Sequence, residues 1–410
     1  MSIHPDHALR PLTTSLRIAV VTETYPPEIN GVAMTLSRMV DGLLRRGHQL
    51  QLVRPRQSRE EVAGKPGSGG GLDEVLLTGL PIPGYPGLKF GLPAKALLTR
   101  LWKSRRPDLV HVVTEGPLGW SAIAAARKLR LPVTSDFHTN FHSYCRHYNF
   151  GWLTSPLSAY LRKLHNRSHA TLVPTRSLAR ELAGEGYKNV AVVSRGVDTE
   201  LFNPRRRSAA LRATWGVQPQ TLVVIYVGRL AAEKNLPVVV DAFAAIRKVR
   251  PDAKLLFVGD GPMRGKLQAS CPAAIFAGMR TGADLAAHYA SADLFLFASL
   301  TETFGNVTSE ALASGLGVLA YNCAGAADLI VDGDNGRTVA PGDAPAFVSA
   351  ALALAGDQEE LRRLRGRSAA GVARLDWEMI HDSFARTLAE VVAAHERPAG
   401  DQGEFAVAPD

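Results

Sequence analysis

Two glutamates eight residues apart, Glu302 and Glu310, lie on either side of a predicted helix start. The residues around them predict a buried strand, a polar loop, a helix over 306–314 and a second buried strand. Free backbone N–H groups near Asn306 and Val307, together with the positive end of the helix dipole, favour bound phosphate. Ionised carboxylates accept hydrogen bonds from hydroxyl groups. An acid on each side of a phosphate site fits a nucleotide-sugar, in which a ribose and a sugar flank a diphosphate.

Two cations follow a predicted strand in the second half of the chain. Arg229 and Lys234 lie in the loop GRLAAEKN, between a predicted strand over 221–227 and a predicted helix over 236–249. A guanidinium binds phosphate oxygens as a two-pronged donor and an ammonium acts as a point charge, so the pair suits a diphosphate. Ordinary surface charge is the alternative. The nearby glycines of 259–265 do not match the dinucleotide-binding spacing G-x-G-x-x-G.

Two residues of the first half also follow predicted strands. Gly31 ends the loop ETYPPEING just before a predicted helix, where a residue without a Cβ lets the backbone approach a ligand closely. His138 stands at the end of a predicted strand over 133–136. Ligands of open α/β sheets bind where the carboxyl ends of strands meet their loops. An ordinary turn glycine and a structural histidine are the alternatives at these positions.

Strands and helices alternate in each half of the chain. Predicted strands over 17–22 and 49–54 flank a helix over 32–46, which is a βαβ unit and indicates an α/β class with a parallel sheet. The same alternation starts again near residue 221. A chain of 410 residues is long enough for two domains with separate cores. The sequence therefore predicts two α/β domains.

The composition is that of a globular protein, with 46% hydrophobic and 21% charged residues. No apolar run approaches the roughly 20 residues of a membrane span, and no apolar signal-peptide core precedes the first strand. We therefore expect a cytoplasmic protein. The three cysteines, Cys145, Cys271 and Cys323, are isolated, which argues against a disulfide framework and against a cysteine metal site.

The net charge of +9 is concentrated in one part of the chain. Residues 95–180 contain 14 Lys and Arg but three Asp and Glu, so the remainder is slightly acidic. Such a surface attracts an anionic membrane, an anionic substrate or nucleic acid. No nucleic-acid module with interleaved aromatic residues is present, so no nucleic-acid partner is expected. A basic surface without a specific partner is the remaining alternative.

Several segments together resemble a known enzyme family. GRL-x-x-EKN, the Glu-x7-Glu region from TETFGN to SEALASG, and SRGVDTELFNP resemble the retaining, nucleotide-sugar-dependent glycosyltransferases of the GT-B fold, family 4. The resemblance implies two facing Rossmann-like domains with the active site in the cleft between them. It implies an acceptor-binding domain over 1–200 and a nucleotide-sugar-binding domain over 201–375. A helix over 376–396 should return to the first domain, and we expect a disordered tail over 397–410.

The resemblance also implies roles for individual residues. Arg229 and Lys234 should bind the diphosphate with the amides near Asn306 and Val307. Glu302 should bind sugar hydroxyls and Glu310 the ribose. The remaining implied contacts are Gly31 in the glycine loop, His138 on the donor sugar, Gly278 at the nucleobase through its backbone, and Tyr85, Lys89 and Tyr144 on the acceptor side. For the segment PIPGYPGLKFGLP, which carries Tyr85 and Lys89, a purely structural loop is an equal alternative.

The same family suggests the reaction and its substrates. We expect hexose transfer with retention, without a metal or other cofactor, because the family uses the turn at Asp332 and Asp334 structurally. INGV, TEGPLGW, DFHTNFHSY and ETFGNVTSEA are similar to GDP-mannose-dependent α-mannosyltransferases and to sulfoquinovosyl- and glucosyl-diacylglycerol synthases. GDP-mannose is the favoured donor and a lipid or glycolipid the favoured acceptor, at the inner face of the cell membrane. A UDP-sugar enzyme, a binding protein without transfer and a nucleotide-sugar epimerase remain alternatives.

Overall fold

The structure is a computed structural model that describes residues 15–28, 30–58, 61, 71–82, 85–138 and 154–397. Two parallel sheets, one in each half of the chain, form its framework. The strands of the first half are β1 (Arg17–Val21), β2 (Gln49–Pro55), β3 (Leu72–Leu77), β4 (Gly79–Ile82), β5 (Tyr85–Gly91), β6 (Leu109–Val112), β7 (Val133–Asp136), β8 (Ala170–Val173) and β9 (Val190–Val192).

Seven of these strands form one sheet in the order β3-β2-β1-β6-β7-β8-β9. Their sequences are short and almost continuously apolar, as in β1 and β6, because helices cover both faces of a parallel sheet. The strand order reverses between β1 and β6. The loops that follow these two strands therefore diverge to opposite faces and leave a crevice beyond their carboxyl ends.

The second half repeats this plan. Its strands are β10 (Val223–Val227), β11 (Lys254–Val258), β12 (Ile275–Gly278), β13 (Leu294–Phe297), β14 (Gly317–Tyr321) and β15 (Arg337–Val339). They form a sheet in the order β12-β11-β10-β13-β14-β15, in which the reversal lies between β10 and β13. The loops after β10 and β13 consequently meet at the second crevice. The first sheet ends at residue 192 and the second begins at 223, while the domain boundaries given above stay a prediction.

Helices cover the sheets and connect the strands. They are α1 (Gly31–Arg45), α2 (Lys95–Ser104), α3 (Pro117–Lys128), α4 (Thr154–His165), α5 (Arg176–Gly184), α6 (Ala209–Thr214), α7 (Leu236–Val249), α8 (Arg264–Ser270), α9 (Gly282–Ser291), α10 (Asn306–Ala313), α11 (Ala324–Leu329), α12 (Ala344–Gly356), α13 (Gln358–Gly371) and α14 (Trp377–Glu396). Within the described ranges, no helix is long and apolar enough to cross a membrane.

The proline-punctuated segment before α2 is a hairpin and not a loop. β4 and β5 pair antiparallel, with Gly79 opposite Gly91 and Leu80 opposite Phe90. The prolines do not prevent this pairing, because a two-stranded ribbon leaves one edge of each strand unpaired. Lys89 lies in the second strand of this hairpin.

The final helix packs on the first half of the chain. α14 contacts α1, where Arg46 pairs with Glu378 and Asp382 at 3.0 and 2.6 Å. Phe384 of the same helix packs edge-on against His111 of β6, with ring centroids 5.2 Å apart. The residues that follow 397 lie outside the described part of the chain.

Two segments cross side by side between the two halves. The amide of Val197 donates to the carbonyl of Leu375 at 2.8 Å. A Cβ at Gly196 would lie 2.4 Å from a ring carbon of Trp377, so the indole packs directly on the glycine backbone. Arg38 of α1 lies 5.4 Å from the centroid of the same ring. This crossing, formed by residues 195–198 and 375–377, sets how the two halves are joined.

Replacing Gly196 by alanine should destabilise the protein. The new methyl group would overlap the Trp377 ring, and overpacking of this kind costs about 1–3 kcal/mol. Gly366→Ala is the matched control, because Gly366 is exposed within α13 and a Cβ there meets nothing within 4 Å. That change should be neutral or stabilising by up to about 1 kcal/mol. Thermal and urea unfolding measure both, and equal midpoints for Gly196→Ala and the parent protein would contradict the packing described.

Candidate functional site

A cleft of about 780 Å³ lies between the two sheets at their carboxyl ends. The first half contributes the β1–α1 loop, the β6–α3 loop, His138, part of α4 and Arg195. The second half contributes residues 302–307, which follow β13. The two crevices created by the strand order thus face each other, and residues far apart in the sequence line one space.

The start of α10 forms one wall of this cleft. Gly305 precedes the helix with a φ of 83°, in the left-handed region, and supplies no capping side chain. The first N–H groups of a helix have no acceptor within it. Asn306 and Val307 occupy these positions and line the cleft. The wall therefore carries donors and the positive end of a helix dipole, which together suit a phosphate.

Lys234 and Glu302 pair with each other beside this helix start. The Lys234 ammonium lies 2.5 Å from Glu302 Oε1, which also accepts from the Ser299 hydroxyl at 2.7 Å. The side chains of the pair are 16% and 17% exposed. The contact arises because β10 and β13 are neighbours in the sheet. Their following loops bring together a cation and an acid that are 68 residues apart in sequence.

Arg229 lies at the same edge of the second sheet and, like Lys234, is outside the residues that line the cleft. Its guanidinium pairs with Glu233, and its side chain is 43% exposed. The loop that carries it packs tightly, since a Cβ at Gly259 would lie 2.0 Å from the Gly228 carbonyl oxygen. A Cβ at Gly261 would lie 2.5 Å from the Leu230 carbonyl oxygen. Gly259 and Gly261 therefore allow the close packing of this loop.

Glu310 lies on α10 behind the helix start and is half-buried. Its Oε2 accepts a hydrogen bond from the Tyr289 hydroxyl at 2.9 Å. Burial raises the pKa of Glu310 to about 7, although the bond from Tyr289 acts in the opposite direction. A carboxyl group with this pKa changes its charge near neutral pH. Glu310 does not line the cleft described above.

His138 is buried in the wall contributed by the first half. Its Nδ1 lies 2.6 Å from the Arg195 guanidinium, and its Nε2 lies 3.0 Å from Asp136 Oδ2. Its backbone carbonyl accepts from the Thr303 hydroxyl of the second half at 3.1 Å. Burial lowers the pKa of His138 and Arg195 lowers it further. The imidazole is therefore neutral and held from several directions.

Gly31 begins α1, whose first turn also lines the cleft. Asn30 caps this helix, because its Oδ1 accepts from the Ala33 amide at 2.9 Å. A Cβ at Gly31 would meet nothing within 4 Å, so the open space in front of this residue belongs to the cleft. The start of α1 thus faces the same space as the start of α10.

Three acids of the first half were missed by the sequence analysis. Glu23, Glu28 and Glu115 line the cleft. Burial raises the pKa of Glu23 to about 7 and also raises that of Glu28. Glu23 accepts from the Leu118 amide at 3.0 Å. The signal for Glu23 and Glu28 was available, because the segment ETYPPE follows β1 and strand ends of this kind carry ligands.

The acceptor-side residues have different placements. Lys89 lines the cleft, where its ammonium donates to the carbonyls of Arg56 and Gln57 at 3.1 and 2.6 Å. Tyr85 belongs to β5, but its side chain lies outside the described residues, as does all of Tyr144. Gly278 ends β12 with a φ of 73°, away from the cleft walls, and its carbonyl accepts from the Gly259 amide.

The two aspartates of the Asp-x-Asp sequence have partners within the fold. Asp332 accepts from the Thr338 amide at 2.8 Å, and Asp334 pairs with Arg367. Across the described residues, no group of three or more His, Cys, Asp or Glu side chains is arranged to bind a metal ion. Asp332 and Asp334 therefore have structural partners in and around the turn that precedes β15.

Comparisons with known proteins agree with this geometry. The model described as "Glycosyltransferase Family 4" matches residues 29–201, and "Glycosyl transferases group 1" matches residues 221–357. A GDP-mannose-dependent alpha-mannosyltransferase of Corynebacterium glutamicum is 31% identical over 93% of this chain and 91% of its own. The enzyme of the same name from Mycolicibacterium smegmatis is 35% identical over 77% and 82%. The sulfoquinovosyl transferase SQD2 of Arabidopsis thaliana is 32% identical over 72% and 59%.

Solved structures show the same architecture. Sucrose-phosphate synthase from Thermosynechococcus elongatus superposes with a TM-score of 0.73 at 19% identity, over 92% of this chain and 100% of that one. A glycosyltransferase from Rickettsia africae gives 0.69 at 17% identity, over 92% and 99%. The fold is therefore GT-B, with two parallel-sheet domains and a cleft between them. With its family model, its relatives and a cleft lined from both domains, the chain belongs to glycosyltransferase family 4 and is a glycosyltransferase.

Proposed function

We propose that this enzyme transfers mannose from GDP-mannose to a hydroxyl group of a lipid or glycolipid, with retention of configuration and without a metal. One observation carries the proposal. Glu302 lines a cleft that both domains form, beside the open start of α10, and Lys234 pairs with Glu302 from outside the cleft lining. A cation and free helix amides suit a diphosphate, and an adjacent carboxylate suits sugar hydroxyls.

The bond between the anomeric carbon and the β-phosphate oxygen breaks in this reaction. Negative charge grows on the departing diphosphate, and preorganised donors lower the barrier by stabilising it. Lys234, Arg229 and the amides of Asn306 and Val307 would supply them. The acceptor hydroxyl attacks the same face of the sugar, and its proton passes to the departing phosphate oxygen. We assign no protein nucleophile, since Glu302 is already paired with Lys234.

Other residues would orient the donor. Glu302 would accept from sugar hydroxyls through the oxygen that does not face Lys234, and His138 would contact the sugar from the first domain. Glu310 would accept from the ribose, and the backbone at Gly278 would contact the base. The open backbone at Gly31 would let the first domain approach the donor closely.

The relatives support the choice of donor and acceptor. Three relatives with at least 31% identity are named GDP-mannose-dependent alpha-mannosyltransferases. An alpha-monoglucosyldiacylglycerol synthase of Acholeplasma laidlawii, 28% identical over 74% of this chain, supports a lipid acceptor. A UDP-sugar-dependent glucosyl- or sulfoquinovosyltransferase is the second candidate, favoured by the similarity to SQD2.

A basic surface of the first domain supports membrane docking. Lys95, Arg100 and Lys103 of α2 are exposed beside Lys128 of α3. Leu97 of the same helix is 49% exposed. Cations around an exposed apolar side chain suit an anionic lipid surface. We propose that α2 and the end of α3 place the enzyme on the inner face of the cell membrane, next to its acceptor.

Transfer activity tests the reaction and its diphosphate site. With labelled GDP-mannose and diacylglycerol-based acceptors, we expect label to move to lipid, in the presence or absence of EDTA. Lys234→Ala and Arg229→Ala should each lower kcat by about 10²–10³, the usual effect of removing one transition-state donor. Arg264→Ala, at an exposed Asp260 pair, is the control. Full turnover in the first two variants would contradict the assignment, and label that stays on nucleotide would indicate an epimerase or a binding protein.

Donor affinity should depend on pH through Glu310. Ribose hydroxyls donate to the ionised carboxylate, and the pKa of Glu310 is raised to about 7. Binding must therefore remove a proton below that pH, so the affinity for GDP-mannose should rise up to about tenfold from pH 6 to pH 8. Calorimetry measures this slope. Glu310→Gln should abolish this pH dependence of the affinity. Glu23→Gln is the matched control, because the pKa of Glu23 is similar, and it should keep the pH dependence. The reverse pattern would place the titrating group in the first domain.

Vesicle flotation tests the membrane surface. The enzyme should float with phosphatidylglycerol vesicles and not with phosphatidylcholine vesicles. The double change Arg100→Glu and Lys103→Glu should lower the bound fraction at least about tenfold, because each cation contributes about 1 kcal/mol at an anionic surface. Arg247→Glu with Lys248→Glu is the control, on an exposed part of α7 beside the similarly exposed Val249. Flotation that does not respond to anionic lipid would contradict the proposal.

A further inference from the structure

We propose that Arg195 is a positioning residue that holds His138 neutral, with its proton on Nε2 and directed at Asp136. The consequence for transfer rests on the proposed function, whereas the effect of Arg195 on His138 stands on its own. Nothing in the sequence pointed to this residue, because it lies in the linker after β9 and 57 positions away from His138.

The contact between Arg195 and His138 permits one arrangement of protons on the imidazole ring. Arg195 is 9% exposed, and its Nη2 lies 2.6 Å from His138 Nδ1. A guanidinium has donors and no acceptor, and it keeps its charge in proteins. His138 Nδ1 must therefore accept. A neutral imidazole carries one proton, which then belongs to Nε2.

The other side of the ring explains why an arginine is needed. Nε2 lies 3.0 Å from Asp136 Oδ2, and His111 Nε2 lies 3.5 Å from the same oxygen. A carboxylate at this distance favours a charged imidazolium, as does Glu115 of the β6–α3 loop. Burial and the Arg195 charge oppose both and lower the pKa of His138. The positive guanidinium and the negative carboxylate therefore lie on opposite sides of a neutral imidazole ring.

The Nε2 proton is directed into the protein and not into the cleft. Nε2 is buried, and Asp136 Oδ2 lies beside it at 3.0 Å. His138 and Arg195 both line the cleft. Thr303 of the second domain donates to the His138 carbonyl at 3.1 Å, so both domains fix the position of this residue.

Nitrogen NMR of histidine-labelled protein tests the proton positions without any substrate. The parent protein should show His138 as the neutral, Nε2-protonated tautomer from pH 6 to pH 8, with the signal assigned by its loss in His138→Asn. In Arg195→Met the pKa of His138 should rise, so imidazolium signals should grow at pH 6. Arg38→Met is the matched control, because Arg38 contacts Trp377 and Asp198 at the crossing between the halves. It should leave the His138 signals unchanged.

A proton on Nδ1, or imidazolium at pH 7 in the parent protein, would overturn the proposal even if Arg195→Met does not fold. Unchanged His138 signals in a folded Arg195→Met protein would overturn it as well. Both results are independent of transfer activity, so they are distinguishable from a failure of the proposed function.

Kinetics then test whether Arg195 acts through His138. Arg195→Met should lower kcat more at pH 6 than at pH 8, because a raised pKa of His138 leaves less of the ring neutral at the lower pH. Arg195→Lys should restore part of the loss at pH 6. In a His138→Asn background, Arg195→Met should cause no further loss, since the two residues act as one unit. Additive losses would show that Arg195 acts on the substrate directly and would overturn the positioning role.

Discussion

The site depends on the ion pair between Lys234 and Glu302. Each residue follows a different strand, and together they join the two loops that flank the crevice of the second domain. Neither side chain is more than 17% exposed, so both charges are largely removed from water. Removing one partner of such a pair leaves an uncompensated charge, which costs about 3–5 kcal/mol when the pair is buried. The pair therefore holds the loop before α10 in one conformation and keeps the helix start open to the cleft.

The topology of the two sheets explains why one cleft collects so many polar residues. Each sheet reverses its strand order once, and the loops beyond that point cannot pack over it. Because the crossing at Gly196 and Trp377 joins the halves with these points facing each other, the starts of α1 and α10 face the same space. The second domain contributes the open helix start beside a cation, and the first contributes several carboxylates. This division suits a donor phosphate on one side and hydroxyl groups on the other.

The sequence predicted much of the framework, because apolar runs and helix boundaries are local signals. The strand Val133–Asp136 and the helix Leu236–Val249 have the predicted limits. α7 begins with a proline in its first turn and ends before Pro251, and both signals are visible in the sequence. The hairpin of β4 and β5 was missed, since prolines obscure a strand pattern. α5 and β15 were missed because their signals are short.

The candidate site was predictable only residue by residue. The sequence identified Glu302, Asn306, Val307, His138 and Gly31, all of which line the cleft, while their roles in transfer stay predictions. It could not show that Lys234 and Glu302 contact each other or that Arg195 contacts His138, since these pairs are 68 and 57 residues apart. Such contacts depend on strand order and on the crossing between the halves, and neither leaves a pattern in the sequence.

A crystal structure of the enzyme with GDP-mannose would show where the diphosphate binds. The β-phosphate oxygens should lie within hydrogen-bond distance of the Asn306 and Val307 amides and of the Lys234 ammonium. The mannose should lie between Glu302 and His138. A diphosphate bound at the start of α1, or a mannose in contact with neither Glu302 nor His138, would contradict this arrangement.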